Sequence, residues 1–173
     1  PLEFRKRIIP LAPYLLGLLL GDGTFRGGSI ELSTGEQELV DYIQLSGIEC
    51  KKHSKYDYRL IGLTKPIRQL GLWGKYSWEK FVPNQYLWND KATRLAILQG
   101  LLDTDGSIDK KQGRIEYSTT SYQLALDVQF LVQSFGGTAT IKNRFTHYTY
   151  LGERKIGRQS YRVNIRVNSI CPF

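Results

Sequence analysis

Histidine, cysteine and methionine are scarce in this chain, which has two histidines, two cysteines and no methionine. Cys50 and Cys171 lie far apart and form no CxxC pair, so a disulfide framework and a cysteine-ligated zinc site are both excluded. Two histidines are also too few for a histidine-rich metal centre. We therefore expect reduced thiols in an intracellular protein, located in the cytoplasm or the nucleoid.

Long hydrophobic runs, low-complexity tails and a signal peptide are also missing. The apolar run over residues 11–20 is about half as long as a helix that crosses a bilayer. It predicts a buried helix, and we expect no membrane partner. Because the chain begins with Pro1 instead of methionine and stops abruptly after "SICPF", we expect a piece of a longer protein.

Acidic residues are outnumbered by basic ones, 16 to 24, which gives a formal net charge of +8 and a pI near 9.5. Such an excess suits a polyanionic partner, although charge alone does not identify one. With 173 residues, 41% of them hydrophobic, the chain can form one compact domain or two small halves in close contact.

Segments of the chain repeat one another in the same order. "LLGLLLGDGT" aligns with "LQGLLDTDGS", "GSIELSTGEQEL" with "GRIEYSTTSYQL", and "SGIECKK" with "GGTATIKN". Three landmarks in one order indicate a duplicated unit. They predict one half over residues 1–90, including the connection, and a second half over residues 91–173, joined as one compact pseudo-two-fold unit.

Each unit predicts the same elements: an apolar helix (11–21 and 91–104), an alternating strand, a second helix and hairpin strands (48–63 and 138–168). Asp90 is the expected N-cap of the second apolar helix. The second helices carry apolar residues at helical spacing, namely Leu39, Ile43 and Leu45 in one copy and Leu124, Val128, Leu131 and Phe135 in the other.

Both apolar helices contain a central glycine and end in a carboxylate. Glycine costs a helix about 1 kcal/mol relative to alanine, but Gly17 and Gly100 would let the two helices approach closely. Side-by-side packing would bring Asp22 and Asp105 to the same end, where the helix dipole and their mutual repulsion call for a cation. Oxygen ligands favour Mg²⁺, and a metal held by two carboxylates on a basic protein fits phosphodiester hydrolysis. Two ordinary core helices with acidic ends are the structural alternative.

"LLGLLLGDG" and "LQGLLDTDG" resemble the two motifs of monomeric, double-motif LAGLIDADG homing endonucleases, over essentially the whole chain. "GLWGKYSWEKFVPNQYLW" is similar to the segment between the motifs in intein-encoded members. The resemblance implies an α+β fold of two pseudo-symmetric αββαββα-type halves whose sheets form a saddle over DNA. It also implies a metal site of Asp22, Asp105, Gly21 and Thr104 that binds Mg²⁺, with Mn²⁺ as a substitute.

The resemblance further implies that Lys80, in "EKFVP", is a catalytic basic residue; a solvated lysine is the alternative. Its counterpart in the second half would follow the last strand, where the sequence stops. Another basic group, such as Lys142, or a missing tail would have to replace it. Leu20 also stands where the motif often has aspartate, although Asp22 is the acid that the chemistry requires.

Positive charge gathers in the hairpins, with seven Lys or Arg against one acid over residues 138–168 and six against two over residues 49–68. In "YRVNIRVN" the polar residues alternate with apolar ones, which predicts a strand with a basic face. Such a face suits base reading, since Arg binds guanine and Asn adenine, and a solvated sheet face is the alternative. The candidate DNA-binding residues are Arg26, Lys51, Lys52, Lys55, Arg59, Arg114, Lys142, Arg144, Arg158, Arg162, Asn164, Arg166 and Asn168.

We therefore expect a monomeric, Mg²⁺-dependent, site-specific endonuclease for double-stranded DNA, fused in its parent protein to an intein splicing domain. As the resemblance implies, it would cut across the minor groove at a long asymmetric target and leave short 3′ overhangs. Two alternatives on the same fold stay open: an RNA-binding intron maturase, and a DNA-binding protein with inactive sites.

Overall fold

The computed structural model describes residues 1–109, 114–150 and 153–166. The first half contains α1 (Pro13–Asp22), β1 (Gly23–Thr24), β2 (Ile30–Ser33), α2 (Gln37–Leu45), β3 (Cys50–Lys52), β4 (Asp57–Leu60) and α3 (Thr64–Gln69). The connection holds a 3₁₀ turn (Ser77–Glu79) and α4 (Asn84–Leu87). The second half contains α5 (Lys91–Asp105), β5 (Gly106–Asp109), β6 (Arg114–Thr119), α6 (Tyr122–Ser134), β7 (Thr138–Tyr150) and β8 (Glu153–Arg166).

The two halves form two antiparallel sheets with equivalent strand orders, β1-β2-β4-β3 and β5-β6-β8-β7. This confirms the α+β fold with two pseudo-symmetric halves. The sheets differ in size, because β3 and β4 have three and four residues whereas β7 and β8 have 13 and 14. The second half therefore carries a much longer ribbon than the first.

The two apolar helices, α1 and α5, pack directly against each other at the centre of the molecule. A Cβ placed on Gly17 would lie 2.5 Å from the carbonyl oxygen of Ile97 and 2.9 Å from the Cα of Gly100. A Cβ on Gly100 would in turn overlap the carbonyl oxygen of Tyr14. The absence of both side chains is what permits this approach, as the sequence predicts.

Burial follows the predicted pattern with one exception. Every residue of α1 from Leu15 to Leu20 is buried. The three predicted apolar positions within α6 are buried as well, and so is the fourth, Phe135, at the C-cap of that helix. In α2, Leu39 and Ile43 are buried but Leu45 is 88% exposed. Grouping Leu45 with the buried positions was wrong, because it lies two residues after Ile43 and a spacing of two places a side chain on the opposite face of a helix.

The residues before α1 lie against the second half. The amide of Leu2 donates to the carbonyl of Ser134 at 2.8 Å, and the buried Arg94 of α5 donates to the carbonyl of Leu2. Asn89 exchanges hydrogen bonds with the backbone of Arg7 at 3.0 and 3.1 Å. This segment therefore ties the two halves together, and the boundary near residue 90 stays a prediction.

Two further expectations concern the N-cap of α5 and the cysteines. Asp90 caps α5 as predicted, accepting a hydrogen bond from the amide of Thr93 at 2.9 Å. Cys50 is a free thiol, and Cys171 lies outside the described residues. Over the described ranges, no helix is both long and apolar enough to cross a membrane.

Candidate active site

The close packing of α1 and α5 delivers their terminal carboxylates to one place. α1 ends at Asp22 and α5 ends at Asp105, and a Cβ on Gly21 would overlap the side chain of Thr104 one turn beyond the Gly17–Gly100 contact. All four residues predicted for the metal site, Gly21, Asp22, Thr104 and Asp105, therefore lie at the adjoining helix ends.

The two acids influence each other electrostatically. Burial, followed by the negative charge of Asp22, raises the pKa of Asp105 to about 6, and the charge of Lys80 opposes this shift. Burial also raises the pKa of Asp22, again opposed by Lys80. Both carboxylates are thus held in a place where their charged forms need a positive partner.

Lys80 supplies a positive charge at this place. Its side chain is 3% exposed, and its ammonium donates hydrogen bonds to the carbonyls of Leu19 (3.1 Å), Gly21 (3.0 Å) and Gly23 (2.7 Å). These carbonyls form the C-terminal end of α1, where the helix dipole favours a cation. Burial lowers the pKa of Lys80 to about 8, against the opposing effects of Asp105 and Asp22. The alternative of a solvated lysine does not fit this geometry.

The backbone around Lys80 is held by the second half. Ser121, the N-cap of α6, donates to the carbonyl of Lys80 at 2.6 Å and accepts from the amide of Leu124. Buried Asp127 accepts from the amide of Val82 at 2.7 Å. Lys80 belongs to the connection, reaches into the first half with its side chain and depends on the second half for its backbone position.

The donors at the helix ends fit a hard divalent cation. Among the described residues no group of three or more His, Cys, Asp and Glu side chains is positioned for a metal. The candidate donors are the carboxylates of Asp22 and Asp105 together with the carbonyl of Gly21, which also accepts a hydrogen bond from Lys80. Thr104 directs its hydroxyl to the carbonyls of Gly100 and Leu101 in its own helix. Oxygen donors of this kind suit Mg²⁺ or Mn²⁺.

An open pocket of about 280 Å³ lies beside Asp105 and Lys80. Its wall combines the helix ends with small hydroxyl side chains from the connection and the second sheet, and its lining residues are Leu20, Gly21, Ser77, Lys80, Asp105, Ser118, Thr119, Thr120 and Ser160. The pocket gives a substrate access to one acid and to the lysine.

The second sheet presents the predicted basic face. Val163 and Ile165 of β8 are buried, so the alternating residues of β8 point to the other side. A groove of about 250 Å³ on the sheet is lined by Arg114, Thr138, Thr140, Lys142, Asn164, Ile165 and Arg166. Lys142, the suggested basic group of the second half, lies in this groove. It is not one of the charges that shift the pKa of Asp105, which are those of Asp22 and Lys80. Arg144 follows on β7 and is exposed, and Asn168 lies outside the described residues.

The first sheet carries a smaller basic face. Arg59 pairs with Glu31 on the neighbouring strand at 3.5 Å, and Lys51 pairs with Glu49 at 3.1 Å. The ammonium groups of Lys52 and Lys55 lie over the rings of Tyr58 and Tyr56, at 5.2 and 4.9 Å. These cations are exposed and remain available to a large polyanion.

Sequence reasoning missed two acids in the middle of the basic faces. Glu31 contacts Arg59 and His53 in the first sheet, and Glu116 contacts Arg162 at 3.1 Å in the second. Glu31 and Glu116 occupy equivalent positions in the aligned "SIELS" and "RIEYS" segments. That equivalence was the available signal. Ser121 and Asp127 were also missed, because their contacts to the connection join residues distant in sequence.

Comparisons with known sequences show which proteins the chain is similar to. Residues 92–169 match the family described as the LAGLIDADG-like domain. The chain is 30% identical to Protein RecA of Mycobacterium tuberculosis over 149 residues, which are 75% of this chain and 19% of that protein. It is 30% identical to the replicative DNA helicase DnaB of Mycobacterium intracellulare over 132 residues, 76% of this chain and 20% of that protein. The chain spans about a fifth of the length of these curated relatives.

Solved structures share the fold over nearly the whole chain. Variants of the homing endonuclease I-DmoI superpose with a TM-score of 0.57 at 17% identity, covering 90% of this chain and 88% of that one. I-DmoI in complex with DNA and Mn gives a TM-score of 0.52 at 16% identity, with the same coverage of both chains. The N-terminal LAGLIDADG domain of DUF199/WhiA gives 0.55 at 11% identity, covering 92% and 75%. The chain therefore has the LAGLIDADG fold in both halves.

Proposed function

We propose that this chain is a divalent-metal-dependent, site-specific endonuclease that cuts double-stranded DNA. The observation that carries the proposal is the meeting of Asp22 and Asp105 at the ends of two equivalent helices, with the buried ammonium of Lys80 beside them. A protein that only binds DNA has no use for two acids at this place, because they repel the phosphates and each other.

The residues at the helix ends have distinct roles in this proposal. The carboxylates of Asp22 and Asp105 and the carbonyl of Gly21 would hold Mg²⁺, or Mn²⁺ as a substitute. Thr104 would stabilise the last turn of α5 through the hydrogen bonds of its hydroxyl to the carbonyls of Gly100 and Leu101. When bound, the metal supplies charge neutralisation at the phosphate and activation of water. Lys80 contributes an ammonium in a water-poor place, where it stabilises negative charge that develops on the phosphate.

The sheets provide the proposed DNA-binding surface. Both carry basic residues on the face opposite the core, and the ribbon of β7 and β8 is far longer than its counterpart β3 and β4. Two unequal arms favour a long asymmetric target. As the resemblance to LAGLIDADG homing endonucleases implies, we propose that the cuts are made across the minor groove and leave short 3′ overhangs.

We also propose that the chain is the endonuclease part of an intein and works as an intracellular monomer. Its similarity covers only about a fifth of RecA and DnaB proteins, as expected if the shared segment is an insertion in each of them. A monomer suffices because one chain contributes both acids. In the parent protein the chain would be fused to a splicing domain.

Cleavage of a plasmid library containing candidate host-gene sites, in Mg²⁺, tests the proposal. Wild type should cut, whereas Asp22→Asn and Asp105→Asn should each reduce cutting by at least about a hundredfold while leaving DNA binding intact. Asp103→Asn is the matched control, because Asp103 lies in the same turn as Asp105 but accepts a hydrogen bond from Tyr14 at 2.6 Å. It should cut normally.

The same experiment decides among the alternatives. Duplex binding without cutting under any divalent metal would favour a DNA-binding protein with inactive sites. Preferential binding of structured RNA, again without cutting, would favour an intron maturase. Normal cutting by Asp22→Asn or Asp105→Asn would show that the acids are not the catalytic site.

A further inference from the structure

Four planar groups stack across the boundary between the halves. Tyr76 and Trp78, in the connection, have ring centroids 4.3 Å apart and planes inclined by 10°. The guanidinium of Arg26 lies 3.6 Å from the Tyr76 ring, and that of Arg158 lies 3.6 Å from the Trp78 ring. A ring face with a neighbour at such a distance has no room for a second one. The two arginines therefore lie at opposite ends of the stack.

The stack joins three parts of the chain. Arg26 follows β1 in the first half, Arg158 belongs to β8 in the second half, and the two rings come from the connection between them. Tyr76 is fixed by Glu79, whose carboxylate accepts a hydrogen bond from the Tyr76 amide at 2.9 Å. The hydroxyl of Ser77 accepts a hydrogen bond from the hydroxyl of Thr120, in the second half, at 3.3 Å.

The stack lies next to the candidate active site. Arg26 and Tyr76 line a pocket of about 280 Å³ together with Ser77, Lys80 and residues of β1. Ser77 and Lys80 also line the pocket that contains Asp105, and Ser160 lines it from the strand that carries Arg158. Through the shared lining residues Ser77 and Lys80, the surface beside the arginine–aromatic stack adjoins the pocket that contains Asp105.

Stacking orients the two guanidinium groups without consuming their hydrogen-bond donors. An aromatic ring contacts the face of a guanidinium, whereas the N–H groups point outward in its plane and match the spacing of phosphate oxygens. Within the described part of the chain, neither Arg26 nor Arg158 has an ion-pair partner, in contrast to Arg59 and Arg162. Tyr76 and Trp78 are 38% and 36% exposed, so a large ligand can reach the stack.

We propose that the Arg26–Tyr76–Trp78–Arg158 stack is a phosphate clamp that binds the DNA backbone beside the site of cutting. The inference rests on the proposed function and deepens it, because it assigns substrate-positioning roles to two aromatic residues. The connection occurs once in the chain, so the clamp serves one of the two strands. The two rings hold the guanidinium groups at a fixed separation. Only phosphates with a matching spacing along the DNA backbone can therefore bind both groups.

Binding to a fixed duplex of arbitrary sequence, without divalent metal and over a range of salt concentrations, tests the clamp. Arg158→Ala should weaken binding about fivefold to tenfold and reduce the slope of log K against log salt by about 1. Trp78→Ala keeps every charge but removes the surface that orients Arg158, so it should weaken binding about threefold or more. Trp78→Phe retains a ring and should restore most of the affinity.

A double variant and a matched control separate the clamp from general charge effects. Arg158→Ala combined with Trp78→Ala should bind no more than about twofold more weakly than Arg158→Ala alone, because both changes remove one interaction. Arg68→Ala is the matched control, because it removes a guanidinium of α3 that lies over the ring of Trp73 at 4.6 Å. The fold-loss in affinity should be less than half of that caused by Arg158→Ala.

The outcomes distinguish this inference from the proposed function. If wild type fails to bind the duplex, the proposed function itself is wrong. If wild type binds but Arg158→Ala resembles Arg68→Ala, or if the two losses in the double variant add, the clamp is wrong and the endonuclease proposal stands. Thermal unfolding of each variant identifies any that has lost its fold. If Trp78→Ala is one of them, the single variants Arg158→Ala and Trp78→Phe decide whether the clamp exists.

Discussion

The hydroxyl of Ser121 donates a hydrogen bond of 2.6 Å to the backbone carbonyl of Lys80. Ser121 is the N-cap of a second-half helix, while the ammonium of Lys80 caps the end of a first-half helix. From the duplication alone, one would expect each half to position its own site residues without the other half. This contact shows instead that the position of the lysine in one half depends on a helix start in the other.

Ser121→Ala should therefore affect stability and catalysis together. Loss of an N-cap costs about 1 kcal/mol in unfolding free energy, and loss of the bond to Lys80 should slow cutting more than it weakens DNA binding. Asp90→Ala removes the N-cap of α5 without touching Lys80 and should destabilise by a similar amount. Urea unfolding and single-turnover cleavage compare the two variants. Equal cleavage rates would contradict a positioning role for Ser121.

Lys80→Met should abolish most cutting, because it removes the ammonium that stabilises negative charge on the phosphate. Duplex binding should stay within about twofold, because the ammonium is buried and contributes little to the electrostatic potential at the protein surface. The matched control is Lys75→Met, which removes a charge from the neighbouring pocket lining but leaves the helix end untouched. Cleavage and binding assays at equal protein concentration check both variants. A Lys80→Met protein that cuts as fast as Lys75→Met would exclude the lysine from the reaction.

Gly100→Ala should prevent normal packing of the central helices. Its Cβ would overlap backbone atoms of α1, which cannot move without displacing the helix, so we expect a loss of several kcal/mol in unfolding free energy, at the level of severe overpacking. Gly35→Ala is the control, since its Cβ would lie 3.7 Å from the ring of Tyr56, an ordinary contact. Thermal unfolding measures both; similar melting temperatures would contradict the close approach.

Asp105→Asn should stabilise the metal-free protein near neutral pH. The pKa of Asp105 is raised to about 6, so ionisation is less favourable in the folded than in the unfolded chain. The folded protein therefore loses stability as the pH rises from about 4 through about 6, by up to about 3 kcal/mol. Asparagine removes this penalty. The gain should be largest near pH 7 and vanish near pH 4.

Urea unfolding of wild type, Asp105→Asn and Asp103→Asn across this pH range gives the comparison. Asp103 is exposed, so its replacement should give no gain of the same pH dependence. Added Mg²⁺ should stabilise wild type and have little effect on Asp105→Asn. A gain that is independent of pH would contradict this account.

Glu116→Gln should release Arg162, with which Glu116 forms an ion pair of 3.1 Å. Removing an acid from the basic face reduces repulsion of phosphates, so binding to an arbitrary duplex should tighten about twofold to fivefold. Discrimination between target and arbitrary sequence should fall, because Arg162 loses its fixed orientation. Glu38→Gln, on α2, makes the same change in charge elsewhere. Equal effects of the two substitutions would contradict a special role for Glu116.

The sequence by itself determined the duplicated architecture, because its repeated segments come in the same order and the central glycines of the two apolar helices allow those helices to pack closely. It also determined the placement of Asp22 and Asp105, since equivalent residues on two helices related by a pseudo-two-fold axis end side by side. The alternation in "YRVNIRVN" determined which side chains face the core. The exposure of Leu45 also follows from periodicity, because its spacing of two residues from Ile43 places it on the opposite face of α2.

Only the tertiary structure decided how the site is completed. Lys80 comes from the connection, whereas Ser121 and Asp127 both come from the first part of α6. The proximity of these two segments depends on the path of the connection, and no periodic pattern encodes that path. The stack of Arg26, Tyr76, Trp78 and Arg158 likewise brings together residues from both halves and the connection. Local patterns specify faces of helices and strands, whereas contacts between distant segments depend on how those faces pack together.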